Sequence, residues 1–247
     1  AREAPLQTAT ALAAAVEMLH TASLLHDDVI DDAVTRRGAP AAHVATGTKA
    51  AILAGDLLFA RALSLLAKSG GDAAVGAAAQ AITEMVEGEA AERAPRRDFG
   101  QPEERVLAVA LAKTGALFVL ALRLGARAGG APATIEERLG SFGARLGLAF
   151  QLADDVLDIR ATAEQLGKQP GTDLSEGTVT LPILYAYAAT DADHRAQIAR
   201  ASEPPRTGSN GRAGREELSA LLGWLAASAA VGRVVERARA EARAAVE

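Results

Sequence analysis

Apolar side chains recur at helical spacing through most of the chain. Leu12, Val16, Leu19 and Leu24 fall three to five residues apart, as one face of a helix over residues 5–32 requires. Arg36-Arg37-Gly38-Ala39-Pro40 breaks the pattern and predicts a loop. A second helix is expected from about Thr46 to Lys68, stopped by Ser69-Gly70-Gly71. A third begins at Asp72, a good N-cap residue, and ends before Pro95. A fourth runs from about Pro102, which suits a first helical turn, to Gly129-Gly130. Thr134 and Glu137 have capping-box spacing and open a fifth helix that reaches about Asp158. Residues 160–179 carry Gly167, Pro170, Gly171 and Gly177 and predict a loop, after which Thr180-Leu181-Pro182 starts another helix. Residues 202–214 predict a surface loop rather than a linker, because the helical stretch from about Glu216 is too short for its own core. The pattern predicts an all-α fold, a single helical bundle of eight or more helices forming one domain over residues 1–247.

Composition supports that prediction and narrows the chemistry. Hydrophobic residues make up 49% of the 247, ample for a core, while aromatics make up 3% and alanine is abundant, which favours helix over sheet. The lack of cysteine excludes disulfides and thiolate metal sites. No positive region precedes a compact apolar stretch at the start, and no uninterrupted apolar run reaches the ~18 residues that suggest a membrane span. No transmembrane segment and a cytoplasmic location are therefore expected. A net charge of −5 argues against nucleic-acid binding, and leaves an anionic substrate in need of metal ions or placed cations. Lysine occurs only at Lys49, Lys68, Lys113 and Lys168.

Two acidic motifs stand out, Asp27-Asp28-Val29-Ile30-Asp31 and Asp154-Asp155-Val156-Leu157-Asp158. Four residues of helix sweep ~400°, so Asp27 and Asp31 share a face, as do Asp154 and Asp158. Paired carboxylates make a hard oxygen site that suits Mg²⁺ together with water and phosphate oxygens. A solvated acidic face is the plain alternative for either motif alone. The repetition, and the placing of each near the C-terminal end of an apolar helix, where negative charge opposes the helix dipole, favour function.

The flanking residues carry a resemblance. Leu19-His20-Thr21-Ala22-Ser23-Leu24-Leu25-His26 before the first motif, and Arg36-Arg37-Gly38 after it, are similar to the first aspartate-rich region of the trans-isoprenyl diphosphate synthases, the polyprenyl synthetases. Gly55-Asp56 and Lys113-Thr114 resemble that family's next blocks. Gly147-Leu148-Ala149-Phe150-Gln151-Leu152-Ala153 before the second motif, then Leu166-Gly167-Lys168, Gly171-Thr172-Asp173-Leu174 and Thr180-Leu181-Pro182, resemble its second region. The resemblance runs from about residue 10 to 190.

It implies the isoprenoid synthase fold with a central active-site cavity, and a homodimer. It also implies a reaction in which an allylic prenyl diphosphate ionises under three Mg²⁺ and alkylates isopentenyl diphosphate. Asp27, Asp31 and Asp154 are implied as the main metal ligands, with Asp28, Asp155 and Asp158 in support. Arg36, Lys113, Thr114, Gln151 and Lys168 are implied at the allylic diphosphate, and His20 and Arg37 at isopentenyl diphosphate. Each has a plainer alternative: a solvated Arg36-Arg37 pair, a core histidine at His20, a snorkelling Lys113, and a Gln151 that merely orients the acids.

Two departures from the family pattern bear on the site. A basic Gly-Gly-Lys-Arg-x-Arg segment common in the family lies upstream of Ala1, so either the chain is incomplete or its isopentenyl diphosphate site is weakened, and the first is favoured. Thr178 stands where the family commonly has lysine. Small side chains at Ala22 and Ser23, one turn before Asp27, imply an open tunnel and a product longer than farnesyl, with Phe118 a candidate floor. Shorter synthases making farnesyl or geranylgeranyl diphosphate, a class I terpene cyclase and a non-catalytic synthase subunit are the alternatives. A di-iron bundle is disfavoured, since Glu17-Met18-Leu19-His20 is a single Glu-x-x-His pair where such a site needs two.

Overall fold

Stretches rich in alanine, leucine and charged residues form long helices in the computed structural model of the chain, which describes residues 3–94, 96–166, 169–203 and 212–246. The helices are α1 (Glu3–Ile30), α2 (Ala42–Thr46), α3 (Thr48–Arg93), α4 (Glu103–Ala110), α5 (Ala116–Ala128), α6 (Ala133–Arg160), α7 (Ala163–Leu166), α8 (Thr172–Glu176), α9 (Leu181–Ala189), α10 (Ala192–Ala201), α11 (Arg212–Ala227) and α12 (Ala229–Ala245). A π-helical turn, Leu111–Gly115, joins α4 to α5. The only strands among the described residues are β1 (Thr35–Arg36) and β2 (Ala39–Pro40), an antiparallel pair pairing Thr35 with Pro40 and Arg36 with Ala39. The all-α expectation therefore holds.

Several boundaries differ from expectation for identifiable reasons. The second and third predicted helices are one element, α3, broken at Gly71, whose φ of 68° and ψ of −166° leave the helical region. The predicted fourth helix is divided by the π turn. The predicted loop over residues 160–179 holds the short α7 and α8, and the loop after residue 32 holds the hairpin. Residues 204–211 of the predicted surface loop lie outside the described residues.

The chain divides into two compact units. The first comprises residues 1–85 and 115–144, and the second residues 86–114 and 145–247. The core of the first is built from Leu12, Ala15, Leu19, Ala62, Leu66, Ala74, Ala78, Ala116, Leu120 and Leu124. Alanines at these contacts let helices such as α1 and α5 approach closely. The second unit uses larger aliphatic side chains: Leu152, Val156, Ile159, Leu174, Ile183, Ile198, Leu225, Val231 and Val234. There α9 is buried over its first six residues, Leu181 to Ala186, and packs against α12.

Three stretches, Leu6–Ile30, Thr48–Arg93 and Glu103–Ala128, are long and apolar enough by length and composition to cross a bilayer, with mean hydropathies of 1.2, 1.8 and 1.9. Dense alanine raises the average hydropathy without ever giving an uninterrupted apolar run.

Candidate functional site

The first acidic motif lies in the first unit, at the end of α1. Helical periodicity turns its acids in different directions. Asp28 faces inward and is 3% exposed, Asp27 is half-buried, and Asp31, just past the helix, is exposed. A buried carboxylate needs a partner. Arg36 supplies it from β1: Nε and one terminal nitrogen of its guanidinium donate to the same Asp28 oxygen at 2.9 and 2.5 Å. Arg36, expected at the diphosphate, is thus engaged by Asp28, and Asp28, expected as a metal ligand, is committed to Arg36. Asp27 and Asp31 remain on the outward side.

The hairpin after α1 turns on Arg37 and Gly38, both at positive φ (51° and 78°). Two such residues between short strands make a type I′ turn. Glycine takes this conformation freely, whereas arginine is strained there by roughly 1 kcal/mol. Strain of this kind persists where the surroundings fix it, and it projects Arg37 into solvent beside the acidic end of α1.

His20 is half-buried, and its carbonyl accepts the Ser23 hydroxyl at 2.9 Å. Ala22 is fully buried. Phe118 is half-buried on α5, and its carbonyl oxygen would stand 3.0 Å from a Cβ added to Gly143. His26 was not singled out by sequence. Its Nε2 lies 3.2 Å from the Ile52 carbonyl and 3.5 Å from Asp56, its ring packs on Phe59, and it occupies the space a Cβ on Gly55 would need. The Gly55-Asp56 pair was the available signal.

The second motif lies in the second unit, on α6. Here Asp154 is exposed, whereas Asp155 and Asp158 are 4% and 3% exposed. Asp158 accepts from the backbone N–H groups of Thr172 and Asp173 at 3.3 and 3.2 Å, and so holds the start of α8. Asp155 accepts from the Gln151 amide at 2.8 Å, and the Gln151 carbonyl accepts the Thr114 hydroxyl at 2.5 Å. Burial pushes the Asp155 carboxyl up to about 7, against the opposing Gln151 hydrogen bond and with help from the charges of Asp154, Glu92 and Asp158. Three expected site residues, Thr114, Gln151 and Asp155, are therefore joined in one chain of hydrogen bonds.

Lys113 precedes Thr114 in the π turn. Such a turn inserts an extra residue into a helix and recurs at functional sites. It sends the two neighbouring side chains to different partners, Thr114 to α6 and Lys113 to α3. The Lys113 ammonium is 2.7 Å from Glu89 and also bonded to Glu92. Glu89 in turn pairs with Arg93 at 3.4 Å. Gly88 permits the approach, since a Cβ there would meet Ala112 at 2.8 Å and Lys113 at 3.0 Å. Burial would lower the Lys113 pKa, but Glu92 and Glu89 together raise it well above the ordinary lysine range. Burial likewise opposes ionisation of Glu89, but the charges and hydrogen bonds of Lys113 and Arg93 together outweigh it and lower that pKa. Glu89 and Glu92 were missed by sequence reasoning, although Glu89-Ala90-Ala91-Glu92-Arg93 has one-face spacing. Lys168 lies outside the described residues.

Among the described residues, no three His, Asp or Glu side chains converge as a ready metal site. The physical reason is visible: Asp28 and Asp158 turn to protein donors, and carboxylates drawn together without a cation repel. The donor chemistry nevertheless fits a hard divalent ion, because Asp31 and Asp154 are exposed and Asp27 is half-buried, whereas the other three acids of the motifs are buried.

Comparison with known proteins gives a consistent result. The family described as polyprenyl synthetase matches residues 2–213. The component 2 of heptaprenyl diphosphate synthase from Geobacillus stearothermophilus is 43% identical over 196 residues, 79% of this chain and 60% of that protein. Octaprenyl diphosphate synthase of Haemophilus influenzae is 36% identical over 232 residues, 94% of this chain and 68% of that protein. A crystal structure of polyprenyl synthase from Caulobacter crescentus, complexed with calcium and isoprenyl diphosphate, superposes with a TM-score of 0.85 at 35% identity, covering 98% of this chain and 75% of that one. A decaprenyl diphosphate synthase from Rhodobacter capsulatus superposes with a TM-score of 0.82 at 32% identity, covering 98% and 77%. The chain spans 60% and 55% of the length of two of these curated relatives, the heptaprenyl component and a nonaprenyl diphosphate synthase of Mycobacterium tuberculosis.

Proposed function

The chain belongs to the polyprenyl synthetase family, and from that premise we propose that it is a trans-prenyltransferase making an all-trans polyprenyl diphosphate longer than farnesyl. In the proposed reaction the C–O bond of an allylic diphosphate breaks and diphosphate leaves. The allylic cation is attacked by the double bond of isopentenyl diphosphate, and loss of a proton completes a product one isoprene unit longer. The observation that carries this proposal is the division of the acids. Asp28, Asp155 and Asp158 are buried with protein donors, whereas Asp31 and Asp154 are exposed and Asp27 is half-buried.

Asp27, Asp31 and Asp154 are the residues assigned to hold magnesium. The ions, three with substrate bound, supply charge compensation for the departing diphosphate. Lys113, Thr114 and Gln151 bind and orient the allylic diphosphate, with Arg36 and Lys168 adding positive charge. His20 and Arg37 serve isopentenyl diphosphate, Arg37 from its strained turn. The protein acts as a homodimer in a cytoplasmic setting. A mixed assembly with a second kind of subunit is the alternative, favoured by the relative named as a component of its synthase.

The test is incubation with Mg²⁺, labelled isopentenyl diphosphate and a series of allylic primers. Products longer than farnesyl are expected. No incorporation with any primer overturns the proposal, and a cyclic hydrocarbon would mark a terpene cyclase instead. Ala22→Phe, at a fully buried position, or Ser23→Phe, is expected to shorten the product, and unchanged product length by chromatography would remove these residues from the tunnel wall.

A further inference from the structure

Two cations expected at the allylic diphosphate are already occupied by carboxylates, but not in the same way. Arg36 donates both of its described hydrogen bonds to one oxygen of Asp28. Lys113 sits between two acids, Glu89 and Glu92, and of the two Glu89 is also paired with Arg93. Glu92 therefore balances Lys113 more directly than Glu89 does. Glu92 also reaches a second part of the site, since its charge is felt at buried Asp155, which Gln151 links to Thr114. Gly88, one turn earlier on α3, allows the π turn to come within contact.

We infer that Glu92 is a positioning residue which holds the Lys113 ammonium in place and competes with diphosphate for it. This inference rests on the proposed role of Lys113 at the diphosphate. An ammonium has three donors. With Glu89 and Glu92 both engaged, an arriving diphosphate meets a lysine whose charge is largely compensated. The diphosphate gains Lys113 fully only when the hold of Glu92 relaxes. The same hold fixes where the ammonium stands, which catalysis requires of a group that must meet a developing charge. Affinity and turnover should consequently move in opposite directions when Glu92 is changed.

The experiment measures inorganic diphosphate binding by calorimetry in excess Mg²⁺, and KM and kcat for the allylic substrate, on the wild type and three variants. Glu92→Gln keeps the shape and removes the charge. It is expected to bind diphosphate about threefold tighter or more, as loss of one nearby like charge implies, while kcat falls. Glu92→Asp, which withdraws the carboxylate by one methylene, should fall between Gln and wild type. The double variant Lys113→Gln/Glu92→Gln removes both charges together and should bind diphosphate more weakly than Glu92→Gln. Unchanged affinity in Glu92→Gln overturns the inference, and a double variant weaker than wild type would then leave the role of Lys113 standing. If Glu92→Gln and the double variant bind equally tightly, Lys113 is not a diphosphate ligand, and both the role and the inference fall. Should Glu92→Gln not fold, as read by far-ultraviolet circular dichroism, the Glu92→Asp comparison decides alone, and equal affinity to wild type overturns the inference.

Discussion

The two acidic motifs look alike in sequence but are supported differently in their two units. In the first unit the buried member, Asp28, has a guanidinium on it. In the second the buried member, Asp155, has a neutral amide and three nearby acids, and burial pushes it up to about 7. The buried acid of the first motif is thus held by a cation and that of the second by a neutral amide, while Lys113 of the second unit is engaged by two glutamates. The lesson is that a repeated motif need not be a repeated site. Each buried acid takes whatever donor its own unit offers, and the outward acids are what the two motifs share.

The contrast can be broken most strongly at Lys113. Lys113→Met would leave Glu89 and Glu92 half-buried, with Arg93 as the described cation of Glu89, and is expected to cost about 3 kcal/mol of stability at neutral pH. The sign with pH follows from Glu89, whose folded pKa is below its ordinary 4.5. Its contribution in the wild type is present above that value and is lost as pH falls through the folded pKa. The destabilisation by Lys113→Met should therefore be largest above pH ~4.5 and shrink on acidification. Denaturant melts at several pH values check it, and a deficit that grows in acid would contradict it.

A smaller effect is expected at Arg36. Arg36→Met strands buried Asp28, but the guanidinium is 43% exposed, so solvent screening discounts the loss to about 2 kcal/mol. Thermal unfolding reads this directly, and an unchanged melting temperature would mean that water or another donor satisfies Asp28. The smallest change is expected at Asp155, with the opposite sign. Its folded pKa of about 7 exceeds the ordinary 3.8, so its contribution is fully present below 3.8 and is lost as pH rises through 7. Asp155→Asn keeps the Gln151 hydrogen bond and should stabilise the protein by about 1 kcal/mol or more at pH ~8 in a metal chelator, with the gain vanishing in acid. A loss of stability at that pH would place a cation near Asp155.

Much of the fold was legible in sequence, and the site was legible in part. The apolar spacing of Leu12 and Leu19 predicted a core face, and both are buried. The glycines at 70 and 71 predicted a break, and Gly71 is where α3 leaves helical geometry. The π turn could not be read, because Leu111-Ala112-Lys113-Thr114-Gly115 has ordinary helical character and its extra residue is a matter of backbone register. Helix periodicity placed Asp27 with Asp31, but it could not show that Asp158 would be taken by the backbone of Thr172 and Asp173, more than a dozen residues away. Nor could it pair Lys113 with Glu92, because that contact depends on how two helices pack.

The most direct measurement compares Asp154→Asn with Asp158→Asn, assayed in parallel for thermal stability and for incorporation of labelled isopentenyl diphosphate. If outward acids carry chemistry and buried acids carry structure, Asp154→Asn loses about a hundredfold or more of its turnover with an unchanged melting temperature. Asp158→Asn, by weakening two backbone hydrogen bonds, loses about 1–3 kcal/mol of stability. A melting temperature lowered by Asp154→Asn, with incorporation kept at the wild-type level, would contradict that division.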